Sequence, residues 1–122
     1  MIVIDSSFAI VLFSKSDSNH IKCFEFLKKN QEELHAPEII LIELASFFVR
    51  KFGSCDEPLE KLKKSVHIHG NYTRIEHVID TIQKFKTRGA DSLFVRLADK
   101  NQCELVTCDK DQAKKYPKSI LI

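Results

Sequence analysis

The stretch Met1-Ile2-Val3-Ile4-Asp5-Ser6-Ser7 decides the fold. Ile2, Val3 and Ile4 are consecutive β-branched residues, a pattern that reads as a short strand buried on both faces. The run stops at a carboxylate, Asp5, followed by two serines. Asp and Ser are poor strand formers and good helix caps, so the chain is expected to leave the sheet and enter a helix at Ser6. Open α/β sheets place their ligands at the carboxyl ends of strands. Asp5 is therefore the candidate anchor of an acidic metal site to which later carboxylates are delivered.

Outward from there, 6–13 reads as a short apolar helix and 14–18 as a polar turn. Ser18 or Asn19 can cap a second helix to about Asn30, with Ile21, Phe24, Phe26 and Leu27 as its apolar stripe. Residues 34–36 form a minimal strand closed by Pro37. From 38 to 52, apolar residues wrap almost completely around a helix, which predicts a central position for it. Glu43, Ser46 and Arg50 make one narrow polar stripe on that helix. Glu43 and Arg50 are two turns apart, beyond the reach of a helical ion pair, so Glu43 needs a partner from elsewhere.

Gly53 ends the helix, and Ser54 with Glu57 reads as a capping box, with Pro58 in the first turn of a charged helix to about Ser65. Residues 66–69 alternate like a half-buried strand. Thr73 with Glu76 reads as another capping box, and Ile75, Val78, Ile79, Ile82 and Phe85 keep a helical period to Lys86. Gly89-Ala90-Asp91 opens a helix over 92–102 with Leu93, Phe94, Leu97 and Ala98 on its apolar face. A strand over 104–108 again runs into a carboxylate, Asp109; a short basic helix to Lys115 and a closing strand over 120–122 follow. Short apolar strands alternating with helices predict one three-layer α/β domain over 1–122, with a mainly parallel five-stranded sheet.

Composition removes several classes. With 43% hydrophobic and 30% charged residues in 122, the chain can bury a proper core and is not of the disordered type. No apolar run approaches the ~20 residues that span a membrane, and no basic-then-apolar leader opens the chain, so a cytoplasmic protein with no membrane association is expected. Cys23, Cys55, Cys103 and Cys108 form no close pair of the kind that zinc ribbons and redox motifs need, and read as small reduced thiols. Net charge is only +2. With four carboxylates gathered at a metal, 19 basic residues face the remaining 13 acidic ones, a +6 balance that permits steering of a polyanion.

Four acids stand out: Asp5, Glu43, Asp91 and Asp109. Asp5 and Asp109 end strands and Asp91 opens a helix, so each also reads as a simple N-cap; the two roles are compatible because a carboxylate has two oxygens. Glu43 is the least easily explained, since a carboxylate in an almost wholly apolar helix is expensive unless paired or bound to a cation. Gathered acids repel one another unless a cation sits among them, and hard ions such as Mg²⁺ or Mn²⁺ take carboxylate oxygens and keep positions open for water and phosphate. Such an ion lowers the pKa of bound water and makes a nucleophile without a protein base. His67 and His69 share a strand face and could hold a metal, but no further ligand is near in sequence, and an exposed strand face is the plainer reading. Asp111 could supplement Asp109, although a solvated helix residue fits better, and Lys110, Lys114, Lys115 and Lys118 read first as wet surface.

Asp5-Ser-Ser after a hydrophobic strand, Ala36-Pro-Glu followed by Glu43 in an apolar helix, Gly89-Ala90-Asp91, and Thr107-Cys-Asp109 together resemble the PIN domain, in particular the small VapC-like toxins. The resemblance runs in order over essentially the whole chain. It implies an α/β/α sandwich and a Mg²⁺- or Mn²⁺-dependent endoribonuclease whose metal ligands and water positioners are Asp5, Glu43, Asp91 and Asp109. It further implies supporting hydroxyls at Ser7 and Thr107, RNA as substrate, a cognate antitoxin partner and a homodimer. Val95 stands where some relatives carry a further acid, a departure that bears on a second metal. Two other readings compete: a catalytically weak PIN-like regulatory protein, and a non-toxin PIN nuclease of RNA processing. A receiver or haloacid-type phosphatase fails, because Asp5 is followed by Ser6 and Ser7 rather than by the acids those folds need.

Overall fold

Ile2–Ile4 is the first strand, β1, and its three side chains are wholly buried. A computed structural model of the chain describes residues 1–70 and 74–122. After β1 come helices α1 (Ser6–Leu12) and α2 (His20–Lys29), strand β2 (Leu34–Pro37), helices α3 (Ile39–Phe52) and α4 (Asp56–Ser65), and strand β3 (Val66–His69). The second half holds α5 (Ile75–Phe85), α6 (Asp91–Lys100), β4 (Glu104–Thr107), α7 (Lys110–Lys115) and β5 (Ser119–Leu121).

The five strands form one sheet in the order β3-β2-β1-β4-β5, and every pair is parallel. Ile2 lies opposite both Leu34 and Glu104, and Ile4 opposite Val106. Parallel strands need crossovers, and right-handed crossovers send the helices to opposite faces when the chain changes direction across the sheet. Accordingly α1 packs on α2 and α3, and α3 on α4, while α5 packs on α6. The result is the expected three-layer sandwich, with β1 at its centre covered on both faces, which is why its sequence is continuously apolar. The core joins Ile2, Val3, Ile4, Phe8, Ile40, Leu44, Leu62, Phe94, Val95, Leu105 and Val106.

Several local expectations are corrected. Helix α3 is not enclosed: it buries Ile40, Leu44 and Phe48, but Ile42 and Phe52 are 67% and 58% exposed. It belongs to an outer layer, so only the side toward the sheet and its neighbouring helices is covered. For the same reason α2 buries Cys23 and leaves Ile21 and Phe24 exposed, and α5 exposes Ile75 and Ile79. The first of the two capping boxes is displaced: α4 is capped at Cys55, Ser54 Oγ accepts from Asp56 N at 3.5 Å, and Glu57 pairs with Lys61 at 2.9 Å instead of reaching back. Thr73, half of the second box, lies outside the described residues; α5 has Arg74 at its N-cap. All four cysteines are free thiols. Among the described residues no helix is long and apolar enough to cross a membrane.

Candidate active site

From β1 the chain winds to β2 and β3 on one side of the sheet; from β4 it continues to β5 on the other. The neighbours β1 and β4 therefore form the topological switch point, where connections depart in opposite directions and leave a crevice at the strands' carboxyl ends. Asp5 directly follows β1 and Asp109 follows β4 after Cys108. Both strands run into carboxylates at the one place where such a sheet opens a ligand site.

Asp5 is the N-cap of α1, only 5% exposed, with Oδ1 accepting from Phe8 N at 3.0 Å and from Ser7 Oγ at 2.7 Å. Ser7 Oγ lies 3.1 Å from Thr107 Oγ1 and accepts from Cys108 N at 2.9 Å, while Asp109 N donates to Thr107 Oγ1 at 2.9 Å. Two hydroxyls thus fasten the end of β1 to the end of β4. Asp109 caps α7: its Oδ1 accepts from Asp111 N at 2.8 Å and Gln112 N at 3.2 Å, and its Oδ2 takes no bond from the described residues. Capping thus occupies one oxygen of this carboxylate and leaves the other open to a second role.

Asp91 is not the cap of α6 but its first residue; Ala90 is the cap, and the Ser92 hydroxyl bonds the Gly89 carbonyl. Its half-buried carboxylate is free of capping and stands in the first turn, where a helix dipole favours negative charge. Glu43, half-buried on α3, receives the partner that its sequence demanded: Ser6 Oγ donates to Oε1 at 2.6 Å. The acid edge of the crevice thus draws on β1, α3, α6 and β4.

Electrostatics tie three of these groups together. Burial pushes the Asp5 carboxyl up to about 6, against the Thr107 and Ser7 hydroxyls and the Phe8 N–H, and the charge of Asp91 adds to the rise. Asp91 is raised as well, by burial first and then by Asp109, with Arg88 and Lys115 pulling it back. Among the described residues, no three of these acids bring ligand oxygens within 4.8 Å of one another. They therefore form no tight all-protein cage, and it is the all-oxygen donor set that suits a hard divalent ion. A cation would also favour the charged forms that burial first, and neighbouring acids second, disfavour at Asp5 and Asp91.

The PIN domain family model matches residues 2–118. The chain belongs to the PIN-domain family. Membership places it in a nuclease class of domain. None of the curated proteins matches it. Among solved structures, a toxin–antitoxin complex from Klebsiella pneumoniae shares the fold at TM-score 0.79 and 16% identity, covering 98% of this chain and 96% of that one. VapC20 of Mycobacterium tuberculosis, a sarcin–ricin loop cleaving toxin, matches at 0.74 and 14%, with 92% of each chain covered. VapBC2 of Rickettsia felis, bound to a promoter DNA fragment, matches at 0.72 and 18%, covering 100% and 98%. At these identities the likeness is one of fold.

Three residues of this PIN domain escaped sequence reasoning. In the sequence Ser6 signals only a helix entrance, yet in the fold it holds Glu43. Gln112 is buried, donates from Nε2 to the Asp91 carbonyl at 3.4 Å, and keeps Oε1 without a partner among the described residues. Its only sequence signal is its place three residues after Asp109, on the same helical face. Arg88 acts on Asp91 and lies 3.8 Å from Asp111, whose carboxylate therefore faces an arginine. Lys118 is engaged too, donating to the Gln102 carbonyl at 3.1 Å.

Proposed function

We propose that residues 1–122 are a single nuclease domain acting as a Mg²⁺- or Mn²⁺-dependent endoribonuclease, the toxin of a type II toxin–antitoxin pair. The observation that carries this reading is the convergence of Asp5 and Asp109 at the sheet's switch point, with Asp91 between them in charge: Asp91 raises the Asp5 carboxyl and is itself raised by Asp109. In this reading Asp5, Glu43, Asp91 and Asp109 hold the ion, which when bound lowers the pKa of water to supply the nucleophile for a phosphodiester. Ser7 and Thr107 fix the orientation of Asp5 and the distance between the two strand ends. Ser6 holds Glu43 toward the crevice. Lys110, Lys114 and Lys115 on α7, beside Asp109, supply positive charge for an RNA backbone.

The same reading assigns a cytoplasmic place and two protein partners. A cleft of about 520 Å³, lined by Leu12, Phe13, Phe48, Phe52, Pro58 and Lys61 among others, offers an antitoxin an apolar seat between α1, α3 and α4. The exposed apolar faces of α3 and α5 offer surface for a homodimer.

The test is cleavage of a mixed RNA substrate by purified protein. Cleavage is expected to require Mg²⁺ or Mn²⁺, to stop with EDTA, and to fall at least 100-fold in Asp5→Asn, the order seen on removing one key catalytic group. Cleavage that persists in both Asp5→Asn and EDTA overturns the proposal.

A further inference from the structure

Three imidazoles and a carboxylate crowd together on the other wing of the sheet, away from the acids. In the parallel β2–β3 pair, His35 lies opposite His67 and Pro37 opposite His69. Alternation along a strand puts residues two apart on the same face, so Glu33 joins His35 and His69 joins His67. Glu33 already has the backbone of the sheet, since its carbonyl accepts from Ile2 N at 3.0 Å. Its Oε2 lies 3.5 Å from His35 Nε2 and 3.7 Å from His67 Nε2. One ligand atom from each of Glu33, His35 and His67 falls within 4.8 Å of the others. The His35 and His67 rings are stacked, with centroids 4.7 Å apart and 19° between planes.

We propose that Glu33, His35 and His67 form a second metal site, for a borderline transition ion of the Zn²⁺ class, with His69 orienting His35. Zn²⁺ binds imidazole nitrogen and carboxylate oxygen at about 2.0–2.2 Å, so neighbouring ligands of a tetrahedral site stand roughly 3.4 Å apart. The two separations from Glu33, 3.5 and 3.7 Å, are already at that value to within a few tenths of an ångström. Two nitrogens and one oxygen leave a fourth position for water, as in open zinc sites. Imidazole also selects this class of ion over the hard cations suited to the acid crevice.

The surroundings prepare the ligands. His35 Nδ1 and His69 Nε2 are 2.8 Å apart, within a hydrogen bond. With Nδ1 as the donor, the lone pair of His35 sits on Nε2, facing Glu33 and His67. A ligating histidine that donates its other ring N–H is the usual device for fixing tautomer and ring orientation. Burial, and then the neighbouring His67 and His69, hold the His35 imidazole below its ordinary pKa, and the neutral ring is the form that ligates. His35 is 13% exposed and held in place, while His67 and Glu33 are 59% and 72% exposed and can close on an ion by rotamer changes. The three ligands lie on β2, on β3 and just before β2; the acids lie at β1, β4, α3 and α6, so the two sites share no residue.

The experiment titrates metal-free protein with Zn²⁺ by calorimetry, and with Co²⁺ as an absorbing probe, at pH 7.5. One Zn²⁺ per chain is expected, with visible Co²⁺ bands of a site of four or five ligands and an upward shift of the melting temperature. His67→Ala and Glu33→Gln, both at exposed positions, should melt like the native protein without metal and bind Zn²⁺ at least tenfold more weakly. Asp5→Asn, which lies in the acid crevice, should bind it unchanged. Long-range ¹H–¹⁵N spectra of the imidazoles should shift at the Nε2 of His35 and His67. The proposal is overturned by native protein that binds no Zn²⁺, by binding that survives both His67→Ala and Glu33→Gln, or by binding that Asp5→Asn abolishes.

Discussion

At the scale of the residue, Asp5 is a buried carboxyl whose charge is disfavoured by its surroundings. Its folded pKa of about 6 lies above the ordinary 3.8, so the native state keeps the proton longer than the unfolded chain does. Stability from this group is complete below about pH 4, falls as pH rises through 6, and stays reduced at neutral pH. At about 1.4 kcal/mol per unit, the ceiling is about 3 kcal/mol. Asn at this position keeps an oxygen acceptor for the Phe8 N–H and removes the charge. Metal-free Asp5→Asn is therefore expected to melt above the native protein at pH 7.5, with the gap closing at pH 3.5; thermal melts at both values decide it. Ser7 is the opposite case, because one hydroxyl touches Asp5, Thr107 and the Cys108 N–H. Ser7→Ala leaves those groups under-bonded and should cost about 1–3 kcal/mol in urea denaturation. Ser6→Ala removes the hydroxyl donor of the half-buried Glu43 carboxylate, so it should cost about 1 kcal/mol or more in urea denaturation and, with Glu43 a ligand of the ion, also lower kcat/KM roughly tenfold.

At the scale of the element, α3 does two jobs. Its inner side locks the core through Ile40, Leu44 and Phe48, and the turn between them presents Glu43. Gly53 stops it in the left-handed region, φ 81°, donating to the Val49 carbonyl at 2.9 Å. A Cβ there would meet nothing within 4 Å, so Gly53→Ala isolates the backbone strain and should destabilise by about 1 kcal/mol, read from the denaturation midpoint. The outer sides of α3 and α5 bear on self-association. If Ile42 and Ile79 lie in a homodimer interface, Ile42→Lys with Ile79→Lys should give a monomer by sedimentation with an unchanged or higher solubility. Native protein that sediments as a monomer removes the homodimer from the proposal.

At the scale of the whole molecule, the reversal of strand order between β1 and β4 matters more than any one side chain. It turns acids that are 104 positions apart in the chain, Asp5 and Asp109, into neighbours across one crevice. It also sets α7, with Lys110, Lys114 and Lys115, on the rim. If these three lysines touch phosphates of a single strand, binding of uncleaved RNA by Asp5→Asn should weaken roughly twentyfold between 50 and 200 mM salt, with the slope flattening in the triple alanine variant. Filter binding across a salt series measures both slopes.

The sequence by itself determined the alternation of elements, the identity of the strands, and the acids worth watching, because those depend on short-range patterns: β-branched runs, helical period, carboxylates where runs stop. Asp5 and Asp109 were legible for that reason, and Glu43 by its misfit in an apolar helix. Three things were decided only by tertiary structure. Which side of α2, α3 and α5 is buried depends on the layer each helix occupies, and neither an apolar stripe nor an all-round apolar helix encodes it. The partner of Glu43 and the donor to the Asp91 backbone carbonyl, Ser6 and Gln112, come from chain segments far away in sequence. The meeting of Glu33 and His35 with His67 follows from the β2–β3 register, a non-local pairing that no spacing along the chain reveals. Local chemistry chose the residues; the order of the strands chose their neighbours.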